Sequence, residues 1–501
     1  MKKIKLLVLA ITLISVIGCE DAYRIDQPGR LTAEVAFQTV EDLELGLVSS
    51  YGRLDLTPEI ALSATFTDEI SIGADNGGQG LELYAFQLTA ASNASISFWT
   101  RNYAVLNSVN RIIEASENVE GDQAAINAVV GEARAIRAFA HFELLTYFSP
   151  DLTDDNALGV IKMDFVPTID QLLLRDTNGE VFQLITEDLN FATNNIANED
   201  DRYFFSKNAI KALQARIAAF RGQYGTVETL ATDLLGTYTL ANTDDYFDMF
   251  VGDVSNRGES IFALIRSIGD NYDGQGNTGS VFAGGWAGAR FAFGNPTVGG
   301  SPYYEMGRSL FNLFDRDGVR LAVNLNETAE IDEDWPGADY ATVDDKLVIG
   351  KYPGKDGQPL MNDLQVFRTS DIHLLLAEAY AIRGALNGTS NSVASLIQEL
   401  RDVRGVNGGT NPLPDYASTQ EALQDILLER RLEFAFEGHR YRDLKRIGVQ
   451  ANVGISRADT DCIPFGGNCT LPASDYRFTL ALPIVEFNAN PDLREQQNPG
   501  Y

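Results

Sequence analysis

The chain has 501 residues, with 39 Lys and Arg against 70 Asp and Glu, for a formal net charge of −31. So acidic a chain repels polyanions, which argues against nucleic acid and anionic lipid headgroups as partners, since both are held by neutralising phosphates with Lys and Arg. Three cysteines (Cys19, Cys462, Cys469) and three histidines (His141, His373, His439) are too few to favour a structural zinc site.

The first element does not belong to the fold. Lys2, Lys3 and Lys5 precede an apolar run from Leu6 to Ile17, shorter than the ~20 residues a membrane span needs and patterned as an export signal. Its end, Val16-Ile17-Gly18-Cys19, resembles the lipobox of bacterial lipoproteins. That resemblance implies a signal peptide over residues 1–18 and a mature chain that begins at a lipidated Cys19. Glu20 and Asp21 follow, similar to the acidic pairs that accompany surface export in Bacteroidetes lipoproteins. No later stretch is apolar and long enough to span a bilayer, so the lipid is the expected anchor. The body after residue 18 has no Pro-rich or Ser-rich linker and reads as one unit.

Helical spacing dominates that body. Residues 126–148, "INAVVGEARAIRAFAHFELLTYF", place Ile136, Phe139, Ala140 and Phe142 on one face and predict a helix ending near Ser149-Pro150. Leu213–Gly222, "LQARIAAFRG", and Leu375–Gly384, "LLAEAYAIRG", agree at five of ten positions, each followed by a glycine turn and a second helical pattern. Small residues on a helix face, then glycine, then a returning helix resemble tetratricopeptide hairpins. Residues 270–305 and 327–362 are rich in Gly and aromatics without a sustained period, and predict long loops. Within the stretch between them, Asp315–Gly318 has part of the acid spacing of a calcium loop but lacks the distal Glu, and reads as an Asp-Gly turn.

The C-terminal third adds a capping box, with Ser418 as N-cap and Glu421 reaching back, ahead of an apolar stripe through Leu423, Ile426, Leu427 and Phe434. Glu429, Arg430, Arg431, Glu433, Glu437, Arg440, Asp443 and Arg446 crowd the same region and read as a structural ion-pair array. Cys462 and Cys469 enclose a short Gly-Gly loop and predict a local disulfide.

Residues 429–446, "ERRLEFAFEGHRYRDLKR", resemble the signature of the SusD/RagB family of Bacteroidetes outer-membrane lipoproteins, and 482–501, "LPIVEFNANPDLREQQNPGY", resemble its terminus. Residues 98–114, 131–148 and 367–380 are similar to further family segments. The resemblance implies a mainly α fold: a tetratricopeptide-like helical hairpin scaffold with a loop-rich ligand-binding part, in an N-terminal half (19–225) and a C-terminal half (226–501) of one compact body. It implies a cell-surface lipoprotein of the outer membrane that captures a glycan and delivers it to a SusC-like TonB-dependent transporter, without catalysis, cofactor or metal. The alternatives are a RagB-like peptide-binding uptake protein and a helical-repeat scaffold that binds no ligand.

The residues agree as far as motifs go: there is no Gly-x-Ser-x-Gly, phosphate-binding Gly-x-x-x-x-Gly-Lys or His-Glu-x-x-His. Seventy acids still leave room for a carboxylate pair of glycosidase type. Sugar capture requires aromatic faces and polar groups for hydroxyls. The preferred stacking residues are Trp286, Tyr303 and Tyr304 near the Gly-rich loop and Trp335 in the acidic loop; Trp99 is equally a core residue; Asn76 and Tyr84 offer an amide and a ring.

Overall fold

Among the described residues, the longer helices of the N-terminal part are α1 (Val40–Arg53), α2 (Thr57–Phe66), α3 (Asn93–Ser116), α4 (Gln123–Phe148) and α5 (Asn178–Asn195). Helix α4 starts where the Asp122 carboxylate accepts from the Ala124 N–H and stops at Ser149, one residue before Pro150. From Ala138 to Phe148 every residue is buried, so the face expected from periodicity becomes a helix buried all round, packed between α3 and α5. Arg137 binds both oxygens of Asp188 on α5 at 2.7 Å and Asn110 on α3 at 2.9 Å. One buried guanidinium thus fixes the relative rotation of three helices.

The computed structural model describes residues 36–73, 76–270, 285–291, 302–331 and 345–501. The signal segment 1–18, Cys19, Glu20, Asp21 and Trp335 lie outside the described residues.

The two related segments form helical hairpins: α6 (Lys207–Phe220) with α7 (Tyr224–Leu235), and α8 (Thr369–Ile382) with α9 (Val393–Val403). Gly222 and Gly384 take φ of +67° and +82°. The residue after each glycine donates back into the helix, Gln223 N–H to Ala218 O at 2.8 Å and Ala385 N–H to Tyr380 O at 2.9 Å. This is the Schellman ending, which needs a residue that tolerates positive φ. Helix α7 packs on α8, and Ala218 and Ala219 of α6, Val227 of α7 and Leu375 and Ala379 of α8 form one buried apolar cluster. Such an arrangement is consistent with the repeat.

The described strands pair only in two-stranded antiparallel ribbons. β1 (Ile70–Ile72) pairs with β3 (Tyr304–Met306), and β2 (Ser260–Leu264) pairs with β4 (Leu364–Arg368). The first pairing changes one expectation: the end of the 270–305 loop is a strand, held in register with Tyr304 opposite Ile72.

Helix α10 (Thr419–Glu433) carries the charged array into the core. The Glu421 N–H donates to the Ser418 hydroxyl as expected, but the Glu421 carboxylate accepts from Ala417 rather than from the cap residue itself. Glu433 receives Arg320 at 2.8 Å, Arg368 at 2.7 Å and Arg404 at 2.9 Å. Arg430 pairs with Asp371 on α8 and with Asp443, while Arg431 and Arg440 both reach Asp68. Burial would push the Asp68 carboxyl up, but those two guanidiniums hold it well below the usual carboxylate range. Since Asp68 lies two residues before β1, the array also sets where β1 begins.

The terminal Gln-Asn-Pro-Gly-Tyr segment is a staple. Asn498 donates to Phe148 O at the end of α4 and to Leu480 O, and accepts from Arg175 at 3.0 Å; Gln497 pairs both ways with the Leu482 backbone. Cys462 and Cys469 are joined, with Cα atoms 5.2 Å apart. Asp315 O accepts from Gly318 N–H, a turn of the kind Asp-Gly favours.

Candidate functional site

Where α2 meets α3, one face of each helix is left partly uncovered. Pro58, Ala61, Leu62 and Thr65 follow the i, i+3, i+4, i+7 spacing of a single face of α2, and Asn93, Ser97 and Arg101 repeat at i, i+4, i+8 along α3. Tyr304 on β3 and Arg290 on the short helix Gly288–Phe291 close the other side, leaving a cleft of about 190 Å³. Its lining combines apolar carbons, a phenol ring, hydroxyl and amide groups and two guanidiniums. No carboxylate is among the described residues that line it.

Asp55 holds these walls together from beneath. Its carboxylate accepts from the Thr57 N–H and hydroxyl at 3.0 and 2.8 Å, opening α2, and from Gly285 N–H at 3.1 Å. Arg101 and Arg266 pair with it at 3.0 and 3.5 Å. Burial alone would raise the Asp55 carboxyl; Arg266 and Arg101, with the two backbone donors, bring it below its ordinary value, so it stays an anion that ties α2, α3 and the 285–291 segment to one point.

Gly80 sets the width of the cleft. It takes φ of +70°, and a Cβ there would lie 2.4 Å from the Tyr304 hydroxyl, so only glycine lets the 76–80 turn approach this ring. The turn itself is pinned by Asn76, whose Nδ2 donates to Tyr303 O at 3.0 Å and Gln79 O at 3.1 Å while its Oδ1 accepts from Gly78. Burial pushes the Tyr304 phenol up, with Arg290 opposing, so the hydroxyl is a neutral donor and acceptor across the physiological range.

The expected site residues therefore separate. Asn76, Tyr303 and Tyr304 come together, Asn76 as a staple of the loop and Tyr304 as a wall. Tyr84 is buried below them, its hydroxyl donating to Asp461 O at 3.1 Å and its ring under the Arg457 guanidinium. Trp286 is buried behind the cleft with Ala289 and Met361, its indole N–H donating to Ser267 O. Trp99 is packed against Tyr103 and Phe148 and borders a different groove, with Ile169 and Asn490, on the opposite face of α3 from Ser97 and Arg101. None of these three presents an open ring face in the cleft. Sequence reading missed Arg101, Ser97, Asn93 and Arg290; the polar i, i+4, i+8 row opposite Trp99 was the one signal that could have marked three of them.

Comparison with known proteins bears on this architecture. Residues 312–501 match the family model described as "SusD family", and residues 64–218 match one described as "Starch-binding associating with outer membrane". The chain belongs to the SusD family. Two SusD-like proteins of Formosa agariphila are 25% and 24% identical to it, the first over 90% of this chain and 93% of its own length, the second over 100% of both. Among solved structures, a SusD superfamily protein from Bacteroides thetaiotaomicron superposes with a TM-score of 0.73 at 23% identity, covering 92% of this chain and 100% of the other. Surface glycan-binding protein A from Bacteroides fluxus gives a TM-score of 0.70 at 20% identity, covering 93% and 100%. These likenesses show the mainly helical SusD fold.

Proposed function

We propose that this SusD-family chain is a cell-surface lipoprotein that captures a glycan in the α2/α3/β3 cleft and passes it to a SusC-like TonB-dependent transporter, without chemistry of its own. The observation that carries the reading is the lining: a Tyr304 wall and hydroxyl, amide and guanidinium groups over an apolar floor, with no carboxylate among the described lining residues. A pyranose presents C–H faces and hydroxyls, which such a surface complements, whereas glycoside hydrolysis needs two carboxyl groups flanking the bond. The printed description of the N-terminal match and the glycan-binding name of the Bacteroides fluxus neighbour support the same class.

Anchoring rests on the lipobox at Cys19, and no helix among the described residues is long and apolar enough to cross a membrane. Titration calorimetry against neutral oligosaccharides and a peptide panel tests the ligand class: oligosaccharide binding weakened by Tyr304→Ala supports the reading, and peptide binding alone replaces it. Replacing Cys19 by Ala abolishes radiolabelled palmitate incorporation if the anchor is as proposed. Co-purification of the wild-type chain with a β-barrel transporter tests delivery, and recovery of the chain alone from mildly solubilised membranes counts against it.

A further inference from the structure

A second, much narrower cavity lies beneath the cleft, and Pro58 and Arg101 line both. Glu59, in the first turn of α2, and Glu143, on α4, border it together. Both carboxyls are buried, and three of their four oxygens, Glu59 Oε2 and both of Glu143, have essentially no accessible surface and accept no hydrogen bond. The cavity measures about 10 Å³, at the bottom of the roughly 10–15 Å³ that a single water needs. From the outside the pair is closed off by the segment after α10, where a Cβ on Gly438 would lie 3.0 Å from Glu59 Cβ.

The cations nearby are unequally shared. Arg442 stands 3.6 Å from Glu143, and Arg101 and Arg266 are held by Asp55. Arg53 borders the cavity from its partly exposed end. No ion pair among the described residues reaches Glu59. An ionised carboxylate buried without a donor or counter-ion is far costlier than the neutral acid, and where no water fits, a proton is the one partner small enough to enter. We infer that Glu59 is a neutral, protonated acid in the folded chain at pH 7, and that its proton seats the first turn of α2 against α4, making the cleft wall sensitive to alkali. Burial and the charge on Glu143 both push the Glu59 carboxyl well above its ordinary value. The other group facing the pair, the buried Tyr147 hydroxyl, is held neutral by burial as well. A carboxyl raised on folding leaves the seat intact at low pH and withdraws it as pH rises through the folded value. Once ionised, Glu59 shares a dry site with Glu143, and the α2 turn that carries Pro58 lifts from α4. This concerns the wall alone and does not rest on what the cleft binds.

Two measurements on the full chain test it. Infrared difference spectra between wild type and Glu59→Gln at pH 7 should show the C=O stretch of a protonated carboxyl that only wild type possesses; its absence overturns the inference. Hydrogen exchange of the amides in residues 57–62 is then compared between the two proteins at each pH from 5 to 9. Rates should match at pH 5, and wild type should gain on the variant by up to about tenfold per pH unit once Glu59 ionises. Equal rates throughout would leave α2 independent of Glu59 and overturn the coupling, with Glu69, which reaches Ser63 further along α2, the next group to test. Gln is isosteric with the neutral acid, so the variant should fold; one that fails to fold, or melts far below wild type at pH 5, would mean that the anion is required and would also overturn the inference.

Discussion

The charged array on α10 and the cleft between α2 and α3 both gather arginines and polar groups, yet they do opposite things with them. In the array the groups answer one another: Glu433 alone meets three guanidiniums, and Arg368 reaches Glu259, Glu433 and Glu437. In the cleft a single carboxylate, Asp55, is kept beneath the surface to hold the walls, and the hydroxyls and amides of Thr65, Ser97 and Asn93 line the opening. Charge that is matched internally serves shape; polar groups left at an opening are available to a ligand. Buried ion pairs add little net stability over apolar packing, but breaking one leaves an uncompensated charge, so the array and the Asp55 tie are intolerant of change while the hydroxyls and amides at the opening are not.

That contrast can be broken most sharply at Glu433. Glu433→Gln removes the counter-charge of Arg320, Arg368 and Arg404 and is expected to lower unfolding free energy by about 3–5 kcal/mol in denaturant titrations. A loss below ~1 kcal/mol would place the array among ordinary surface pairs.

The next effect depends on pH. Glu69 accepts from Phe436 N–H and the Ser63 hydroxyl, joining α2 to the segment after α10, and burial pushes its carboxyl up to about 7. A carboxyl raised on folding leaves stability intact below its ordinary value near 4.5 and withdraws it as pH rises through 7, by about 3 kcal/mol in all. Melting curves of wild type and Glu69→Gln from pH 4 to 8 should converge on this sign: wild type loses ground to the variant as pH rises.

At the cleft, Gly80→Ala forces positive φ on a residue with a side chain, costing about 1–2 kcal/mol, and displaces the Tyr304 hydroxyl. Calorimetry should show weaker oligosaccharide binding for a modest change in melting temperature, the reverse of the Glu433 variant. The smallest effects belong to the hairpins. Gly222→Ala and Gly384→Ala should each cost about 1 kcal/mol and leave binding unchanged, because neither glycine is near either cavity and their neighbourhoods have room for a methyl group.

Much of the scaffold was legible because its signals are local. The Ser149-Pro150 stop of α4, the two glycine-ended hairpins and the pairing of Cys462 with Cys469 each lie within a short stretch whose backbone preferences decide the outcome. The aromatic residues were harder, because a ring that stacks on a sugar and a ring that packs in a core have the same composition. Trp286, Tyr84 and Trp99 were all absorbed by packing, and Tyr304 was kept at the cleft because β3 pairs with β1, a contact across 232 residues.

By itself, then, the sequence determined the helical character, the hairpin repeats, the charged array and the family, since these rest on periodicity, glycine chemistry and contiguous motifs. Only the tertiary structure decided which groups share a cavity. Asp55 finds Arg266 across 211 residues, and Arg320 finds Glu429 and Glu433 across 109 and 113. Partner choice at such distances is set by how helices pack, and no window of sequence contains that information.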